Sequence, residues 1–281
     1  MSLHIFQVDA FTEKPFAGNP AGVCLLEHPM DDSWMQNVAT EMNLSETAFL
    51  LKQEDGWSLR WFTPKVEVDL CGHATLATAH VLAEMRLLKE GGEVGFHTRS
   101  GLLTARSSAD GIELNFPAKP EEQASPPAGL IEALKVDLPK VPDLPAMDLR
   151  EVRLSVLYVG KNQFDYLVEL DSDDTVRKLN PDFSKLKGVE ARGVIVTARS
   201  SNPEFDFVSR FFAPAVGINE DPVTGSAHCC LGPYWMKKLG KSRLRAFQAS
   251  SRGGILEIEL VKDRVLLRGK AVIVFEGKLF V

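Results

Sequence analysis

The stretch RWFTP at residues 60–64, followed by CGHAT at 71–75, occurs twice in this chain in related form. It returns as RFFAP at 210–214, followed by TGSAH at 224–228. In both copies another glycine follows 29 residues after the glycine of the second motif. Because internal repeats of this kind report repeated structural units, the matching offsets predict two related domains.

The two motif glycines, Gly72 and Gly225, are each predicted to open a helix. Residues 74–88 are rich in Ala and Leu and predict a helix that is apolar on all sides, as buried helices are. If the two helix starts face each other, their free backbone N–H groups form an anion site at the domain interface. We therefore expect Gly72, Gly225 and the adjacent Ser226 to bind a carboxylate.

Short strand-like runs surround both predicted helices, and residues 117–145 carry seven prolines that indicate a domain boundary. We expect two related domains, each with many short strands around one central helix. The last strand, near 271–275, has no counterpart at the end of the first half, and we expect it to cross back to the first sheet. The predicted domains are residues 1–117 plus about 268–281, and residues 118–267.

The composition argues against several classes of partner. The 281 residues include 32 Lys and Arg against 38 Asp and Glu, a net charge of −6, whereas nucleic-acid binding depends on clustered cations. The chain starts directly with an alternating strand pattern rather than a secretion signal, and no apolar run is long enough to span a membrane. We expect a soluble cytoplasmic protein.

The four cysteines, at positions 24, 71, 229 and 230, are too few and too scattered for a disulfide framework. Neither Cys71 with His73 nor His228 with the two following cysteines has the paired spacing of a structural zinc site. We therefore expect reduced thiols and no bound metal.

Three side chains are candidates for proton transfer. Glu46 opens an apolar strand, where partial desolvation favours general acid and base chemistry. His73 follows Gly72, where the positive helix end would lower the pKa of the imidazole and keep it neutral. Asp221 lies four residues before Gly225. Each has a simpler explanation: a solvated strand end, a packed histidine and a turn-forming Asp-Pro pair, respectively.

Cys71 is a fourth candidate, because a thiol at a helix start can become a reactive thiolate. Its repeat partner is Thr224, whose hydroxyl is too weakly acidic to match a thiolate. A mechanism with two thiols is therefore not available to this chain.

Four motifs in this order resemble the phenazine-biosynthesis PhzF-like isomerase family. They are FAGNPAGV at 16–23, SETAF at 45–49, CGHAT at 71–75 and EDPVTGSAH at 220–228. The family is similar in fold to diaminopimelate epimerase and proline racemase. The resemblance therefore implies an α+β fold of two pseudo-symmetric domains, each a rolled, mostly antiparallel, barrel-like sheet around a central helix, with the site in the cleft between them. The resemblance implies a homodimer and proton transfer at carbon without a cofactor.

The resemblance also implies roles for individual residues. Glu46 matches the general acid and base, and the positions of His73 and Asp221 line the same site. Gly72, Gly225 and Ser226 match positions that hold the substrate carboxylate. Asn19 matches an asparagine of the N-terminal loop that approaches the substrate.

The motifs favour an isomerase that moves a proton on a small carboxylic acid or amino-acid derivative, because one carboxyl can remove and return a proton on one face. Inversion of a stereocentre needs groups on both faces. Two alternatives remain: a racemase or epimerase that pairs Cys71 with Glu46 or Asp221, and a non-catalytic member of the fold that binds a ligand or a protein.

Overall fold

The structure, a computed structural model, describes residues 2–136 and 156–280. Its first half contains eight strands and two helices. The strands are β1 (Ser2–Ala10), β2 (Asn19–Leu26), β3 (Glu46–Gln53), β4 (Gly56–Phe62), β5 (Glu67–Val68), β6 (Glu93–Thr98), β7 (Gly101–Ser108) and β8 (Gly111–Pro117). The helices are α1 (Asp32–Met42) and α2 (Gly72–Glu84).

The second half repeats this plan with additional short helices. Its strands are β9 (Glu122–Gln123), β10 (Val156–Lys161), β11 (Asp165–Leu170), β12 (Gly193–Arg199), β13 (Phe207–Ala213), β14 (Ile218–Asp221), β15 (Arg243–Gln248), β16 (Gly254–Val261), β17 (Arg264–Gly269) and β18 (Ala271–Phe280). Its helices are α3 (Leu130–Leu134), α4 (Asp173–Lys178), α5 (Phe183–Leu186) and α6 (Gly225–Leu239).

The strands join into one sheet whose two halves have the same pairing pattern. In the first half, β2 pairs in parallel with β3, and β4 in parallel with β6. In the second half, β11 pairs in parallel with β12, and β13 in parallel with β15. The other described pairs are antiparallel, and β8 pairs with β17 to connect the halves. The predicted α+β class with two related, mostly antiparallel half-sheets is confirmed.

If β9 is counted with the first half, which it follows directly in the chain, the last strand of each half lies on the first strand of the other half. β18 pairs with β1 over its whole length, as expected for a strand that crosses back. Our statement that this strand has no counterpart is wrong, because β9 follows β8 and pairs with β10. We missed β9 because a two-residue strand has no periodic pattern. The boundaries of the two domains stay a prediction, which this exchange of strands supports.

Helix α2 is buried along most of its length, as its apolar sequence predicts. We expected it to reach Leu88, but it ends at Glu84. Arg86 takes a left-handed conformation with φ of 60°. The N–H groups of Arg86 and Leu87 then bond to the carbonyls of Ala83 and Leu82 and close the helix end. Glycine is usual at such a position, so Arg86 does not mark the helix end in the sequence.

The two central helices share one core, and α6 contains a proline. Leu76 and Leu82 of α2 are buried in the same cluster as Trp235 of α6. Pro233 cannot donate to the carbonyl of Cys229, and the N–H of Lys119 bonds to that carbonyl instead, at 3.0 Å. Within residues 2–136 and 156–280, no helix is long and apolar enough to cross a membrane.

Candidate active site

The N-termini of α2 and α6 meet at their first residues. A Cβ placed on Gly72 would lie 3.5 Å from the Cα of Gly225, and a Cβ on Gly225 would lie 3.6 Å from the Cα of Gly72. Any side chain longer than a methyl group would therefore press into the junction. Neither capping residue, Cys71 or Thr224, gives its helix a side-chain hydrogen bond. The junction combines two helix starts, each of which favours an anion.

Glu46 and His73 form a buried pair beside this junction. The Oε2 atom of Glu46 is 3.0 Å from Nε2 of His73, and their side chains are 10% and 5% exposed. The two atoms are close but poorly aligned, so each lacks a hydrogen-bond partner among the described residues. Because an unpaired buried polar atom is costly, these two atoms are suited to contact a bound ligand.

Asn19 connects this pair to Asp221 of the second half. The amide nitrogen of Asn19 donates to Oδ1 of Asp221 at 2.8 Å and to the carbonyl of Val223 at 2.9 Å. The same nitrogen lies 3.1 Å from Nδ1 of His73. The structure thus brings together four predicted site residues from four distant motifs, Asn19, Glu46, His73 and Asp221.

The loop that leads to Asn19 is fixed by a buried ion pair between the two halves. Asp9 is 1% exposed and accepts a hydrogen bond from Arg252 at 2.7 Å. Arg252 also donates to the carbonyls of Ala17 at 2.9 Å and Gly18 at 2.8 Å. The second half of the chain therefore sets the position of a residue that the first half supplies.

The charges at the site differ from the sequence-based expectation. Burial alone would lower the pKa of His73, but the Cys71 sulfur and the Glu46 carboxylate outweigh it, and the pKa lies well above its usual value. Our expectation of a lowered His73 pKa is therefore wrong, because it considered only the helix end and left out the two acidic groups beside the ring, Cys71 and Glu46. Burial raises the pKa of Asp221, and the Glu46 charge adds to this effect while His73 opposes it.

Cys71 lies at the other ring nitrogen of His73, with its sulfur 3.5 Å from Nδ1. Burial, with the nearby Glu46 charge, raises the pKa of the Cys71 thiol to about 11, so the group is a neutral thiol near pH 7. Glu46, Cys71 and His73 each offer one ligand atom, all within 4.8 Å of one another. Glu46 and Cys71 approach different ring nitrogens of His73. That this site binds no metal therefore remains our prediction.

Ser226, the second residue of α6, contacts an arginine that the sequence analysis missed. Nη2 of Arg192 donates to Oγ of Ser226 at 3.2 Å. Nε and Nη2 of Arg192 also bind both carboxylate oxygens of Asp165, at 2.9 and 2.5 Å. No motif surrounds Arg192, and its position becomes clear only when β11 and β12 are paired.

The repeated arginines of the two motifs hold the segments before the helix starts. Arg60 forms two hydrogen bonds with Glu67, both at 2.7 Å. Arg210 forms two with Glu220, at 2.7 and 2.9 Å. Each glutamate lies five residues before its motif glycine. Both copies of the repeat therefore contain an Arg–Glu pair that supports the segment before the helix start. In the second half this pair lies next to Asp221 in the chain.

Two pseudo-symmetric half-sheets with a buried carboxyl and imidazole at the junction of their central helices define an isomerase of the epimerase-like fold. The chain matches the family described as phenazine biosynthesis-like protein (PhzC-PhzF) over residues 8–277, and it belongs to this family.

Known proteins support both the family and the fold. An uncharacterized isomerase of Halalkalibacterium halodurans is 52% identical over 280 residues, which cover 99% of each chain. A PhzF-family phenazine biosynthesis protein from Enterococcus faecalis has a crystal structure that is 40% identical, covers 100% of both chains and has a TM-score of 0.90. A hydroxyproline epimerase from Agrobacterium vitis has the same fold at 10% identity, with a TM-score of 0.59 over 99% of this chain and 92% of its own.

Proposed function

We propose that this isomerase moves a proton between carbons of a small carboxylic acid or amino-acid derivative, without a cofactor, and that Glu46 is both the acid and the base. The observation that carries the proposal is the buried pair of Glu46 Oε2 and His73 Nε2, 3.0 Å apart, neither of which has another hydrogen-bond partner among the described residues. A carboxylate beside an imidazolium can accept a proton from carbon and return it, since the pair keeps its compensating charge.

The second half supports a mechanism with one base. Ala48 of β3 pairs with Trp61 of β4, and Ile195 of β12 pairs with Phe211 of β13. Trp61 and Phe211 occupy the same place in the repeated motif, so the position equivalent to Glu46, two residues before Ala48, is Gly193. No carboxyl occurs there. A matched pair of bases related by the repeat is therefore not present.

The other residues have supporting roles in this proposal. Asn19 and Asp221 orient the substrate and His73, and Gly72, Gly225 and Ser226 hold a substrate carboxylate at the helix starts. The raised pKa of Cys71 argues against the racemase alternative, which needs a thiolate at this position. The buried Glu46 and His73 pair suits ligand binding as well as catalysis, so the non-catalytic alternative is separated from the proposal by the exchange experiment.

The test follows exchange at carbon. Native protein and a panel of small amino acids and unsaturated carboxylic acids are incubated in heavy water, and solvent deuterium at carbon is measured by NMR. We expect Glu46→Gln to lower turnover by about 10²–10⁴-fold with little change in affinity. Glu41→Gln, an exposed control on α1, keeps native turnover.

Cys71→Ala separates the two catalytic alternatives. The isomerase proposal predicts a change of turnover of less than about threefold, whereas the racemase alternative predicts near-complete loss. Full exchange by Glu46→Gln would remove Glu46 from its proposed role. Ligand binding by the native protein with no exchange over the whole panel would favour the non-catalytic alternative.

We also propose that the protein is a homodimer joined through β18. This strand pairs only with β1 among the described strands, and Phe275 and Phe280 on it are 51% and 84% exposed. Antiparallel pairing of two copies about Gly277 places Glu276 opposite Lys278 of the other copy. Sedimentation should show a dimer that Lys278→Glu weakens and that the exposed control Lys89→Glu leaves intact.

We place the reaction in the cytoplasm. All four cysteines are free and buried in the described structure, which supports a reducing compartment.

A further inference from the structure

The strand-pairing register identifies one second-half residue equivalent to Glu46 and one equivalent to its neighbour Ser45. If Gly193 is equivalent to Glu46, then Arg192 is equivalent to Ser45. A Cβ on Gly193 would lie 2.7 Å from Cε2 of Phe211, so the ring of Phe211 fills the space where a side chain would begin. The second half therefore replaces the carboxyl with an aromatic surface and a guanidinium group.

The starts of the two central helices differ in the same way in the charged group that lies beside them. His73 and Ser226 are the second residues of α2 and α6, directly after the two glycines that touch. Glu46 approaches His73 at 3.0 Å, and Arg192 approaches Ser226 at 3.2 Å. One helix start thus has the Glu46 carboxylate beside it, and the equivalent place at the other has the guanidinium group of Arg192, which is itself paired with Asp165.

Several contacts hold Arg192 in place, but not all of its N–H groups have a hydrogen-bond acceptor among the described residues. Phe164 and Phe211 lie against the guanidinium group, with ring centres 5.2 and 5.6 Å from Cζ. Asp165, 1% exposed, binds Nε and Nη2. Among the described residues, no acceptor contacts Nη1, and the arginine side chain remains 38% exposed. The fork of Nε and Nη2 already holds the Asp165 carboxylate and fixes the guanidinium plane, which leaves the donors of Nη1 to bind a second carboxylate.

We propose that Arg192 is the cationic anchor of the substrate carboxylate and binds it together with Ser226 at the start of α6. The carboxylate accepts hydrogen bonds from Nη1 of Arg192 and from the Ser226 hydroxyl. The reacting carbon is then directed across the glycine junction toward Glu46. This inference rests on the proposed function and narrows it to substrates that bear a carboxylate at the end opposite the exchanged proton.

The experiment measures binding without turnover. Benzoate and its neutral analogue benzamide, with acetate as a smaller probe, are titrated into the native protein by NMR or calorimetry. The variants are Arg192→Lys, which keeps a charge beside buried Asp165 but lacks the fork, and Ser226→Ala, which leaves the Arg192 and Asp165 pair intact. Arg243→Lys is the control, because Arg243 is an exposed strand residue paired with Glu259.

We expect the native protein to prefer benzoate to benzamide. Arg192→Lys should weaken benzoate binding by about tenfold and Ser226→Ala by about threefold, while Arg243→Lys binds as the native protein does. Where turnover is measurable, both site variants should raise KM more than they lower kcat.

The anchor and the acid–base proposal can fail separately. Glu46→Gln, which removes the proposed base, should still bind benzoate with native affinity. Unchanged benzoate binding by both Arg192→Lys and Ser226→Ala overturns the anchor even if Glu46 proves catalytic. The absence of saturable binding of both benzoate and acetate by the native protein overturns it as well.

Discussion

His228 makes the stability of the fold depend on pH. The ring is fully buried in α6; Nδ1 donates to the carbonyl of Thr224 at 2.8 Å, and Nε2 accepts from the hydroxyl of Ser209 at 3.4 Å. It also stacks on Phe207, with ring centres 6.0 Å apart. Burial lowers the pKa of His228 from 6.5 to about 4, although its bond to Thr224 acts in the opposite direction.

The sign and size of the effect follow from proton linkage. Below pH 6.5 the unfolded chain takes up a proton at this histidine, whereas the folded chain does so only near pH 4. The contribution of neutral His228 to the free energy of unfolding is therefore complete above pH 6.5, and it is lost as the pH falls toward 4. The difference between a pKa of 6.5 in the unfolded chain and about 4 in the folded chain corresponds to about 3 kcal/mol of unfolding free energy. This is a large part of the roughly 5–15 kcal/mol that stabilises an ordinary domain.

Urea unfolding at several pH values between 7.5 and 4.5 measures this contribution. His228→Gln cannot take up the proton, yet its amide can still donate toward the Thr224 carbonyl. We expect its unfolding free energy to fall less steeply with acid than that of the native protein, by up to about 1.4 kcal/mol per pH unit. His28→Gln, at an exposed histidine, should keep the native slope.

The reasoning fails on either of two results. One is an equal pH slope for the native protein and His228→Gln. The other is a His228 ring resonance that titrates near pH 6.5 in the folded protein.

Three further outcomes follow from packing and burial. Gly193→Ala should lose about 1–3 kcal/mol in urea unfolding, because its methyl group meets the ring of Phe211. Gly95→Ala meets only a flexible leucine end at 3.3 Å and should change by less than about 1 kcal/mol. Arg252→Gln should lower turnover about tenfold by releasing the loop that carries Asn19; native turnover would contradict this support. A thiol reagent at pH 7.5 should find less than about one reactive group in the folded protein, against four after unfolding; rapid labelling of the native form would contradict their burial.

The central architecture could be predicted because the sequence repeats it. The spacing of Gly72 and Gly225 within copied motifs located both helix starts, and their contact follows from pseudo-symmetry. Glu46, His73, Asp221 and Asn19 could be named as one group through the family motifs. The catalytic roles of Glu46, His73 and Asp221 and the substrate-binding role of Asn19 stay predictions. The structure places each of the four within hydrogen-bonding or ion-pair distance of another member of the group.

The remaining features depend on contacts between distant residues. The stop of α2 uses a left-handed Arg86 where sequence rules look for glycine. The pKa of His73 depends on a carboxylate 27 residues earlier, which no local helix argument includes. Arg192 becomes a site candidate only through its contact with Ser226, which lies 34 residues later. β9 has two residues and is defined by its partner strand.

The fused repeat has an evolutionary consequence. In a symmetric dimer of two identical halves, every side chain appears twice, so a carboxylate such as Glu46 would face a second copy across the cleft. Joining the halves in one chain removes that constraint. One gene segment could then keep Glu46, the proposed proton carrier, while the other gained Arg192, the proposed anchor, and selection could adjust recognition and chemistry independently. A library restricted to the surroundings of Arg192 is accordingly the place to begin changing which acid the enzyme accepts.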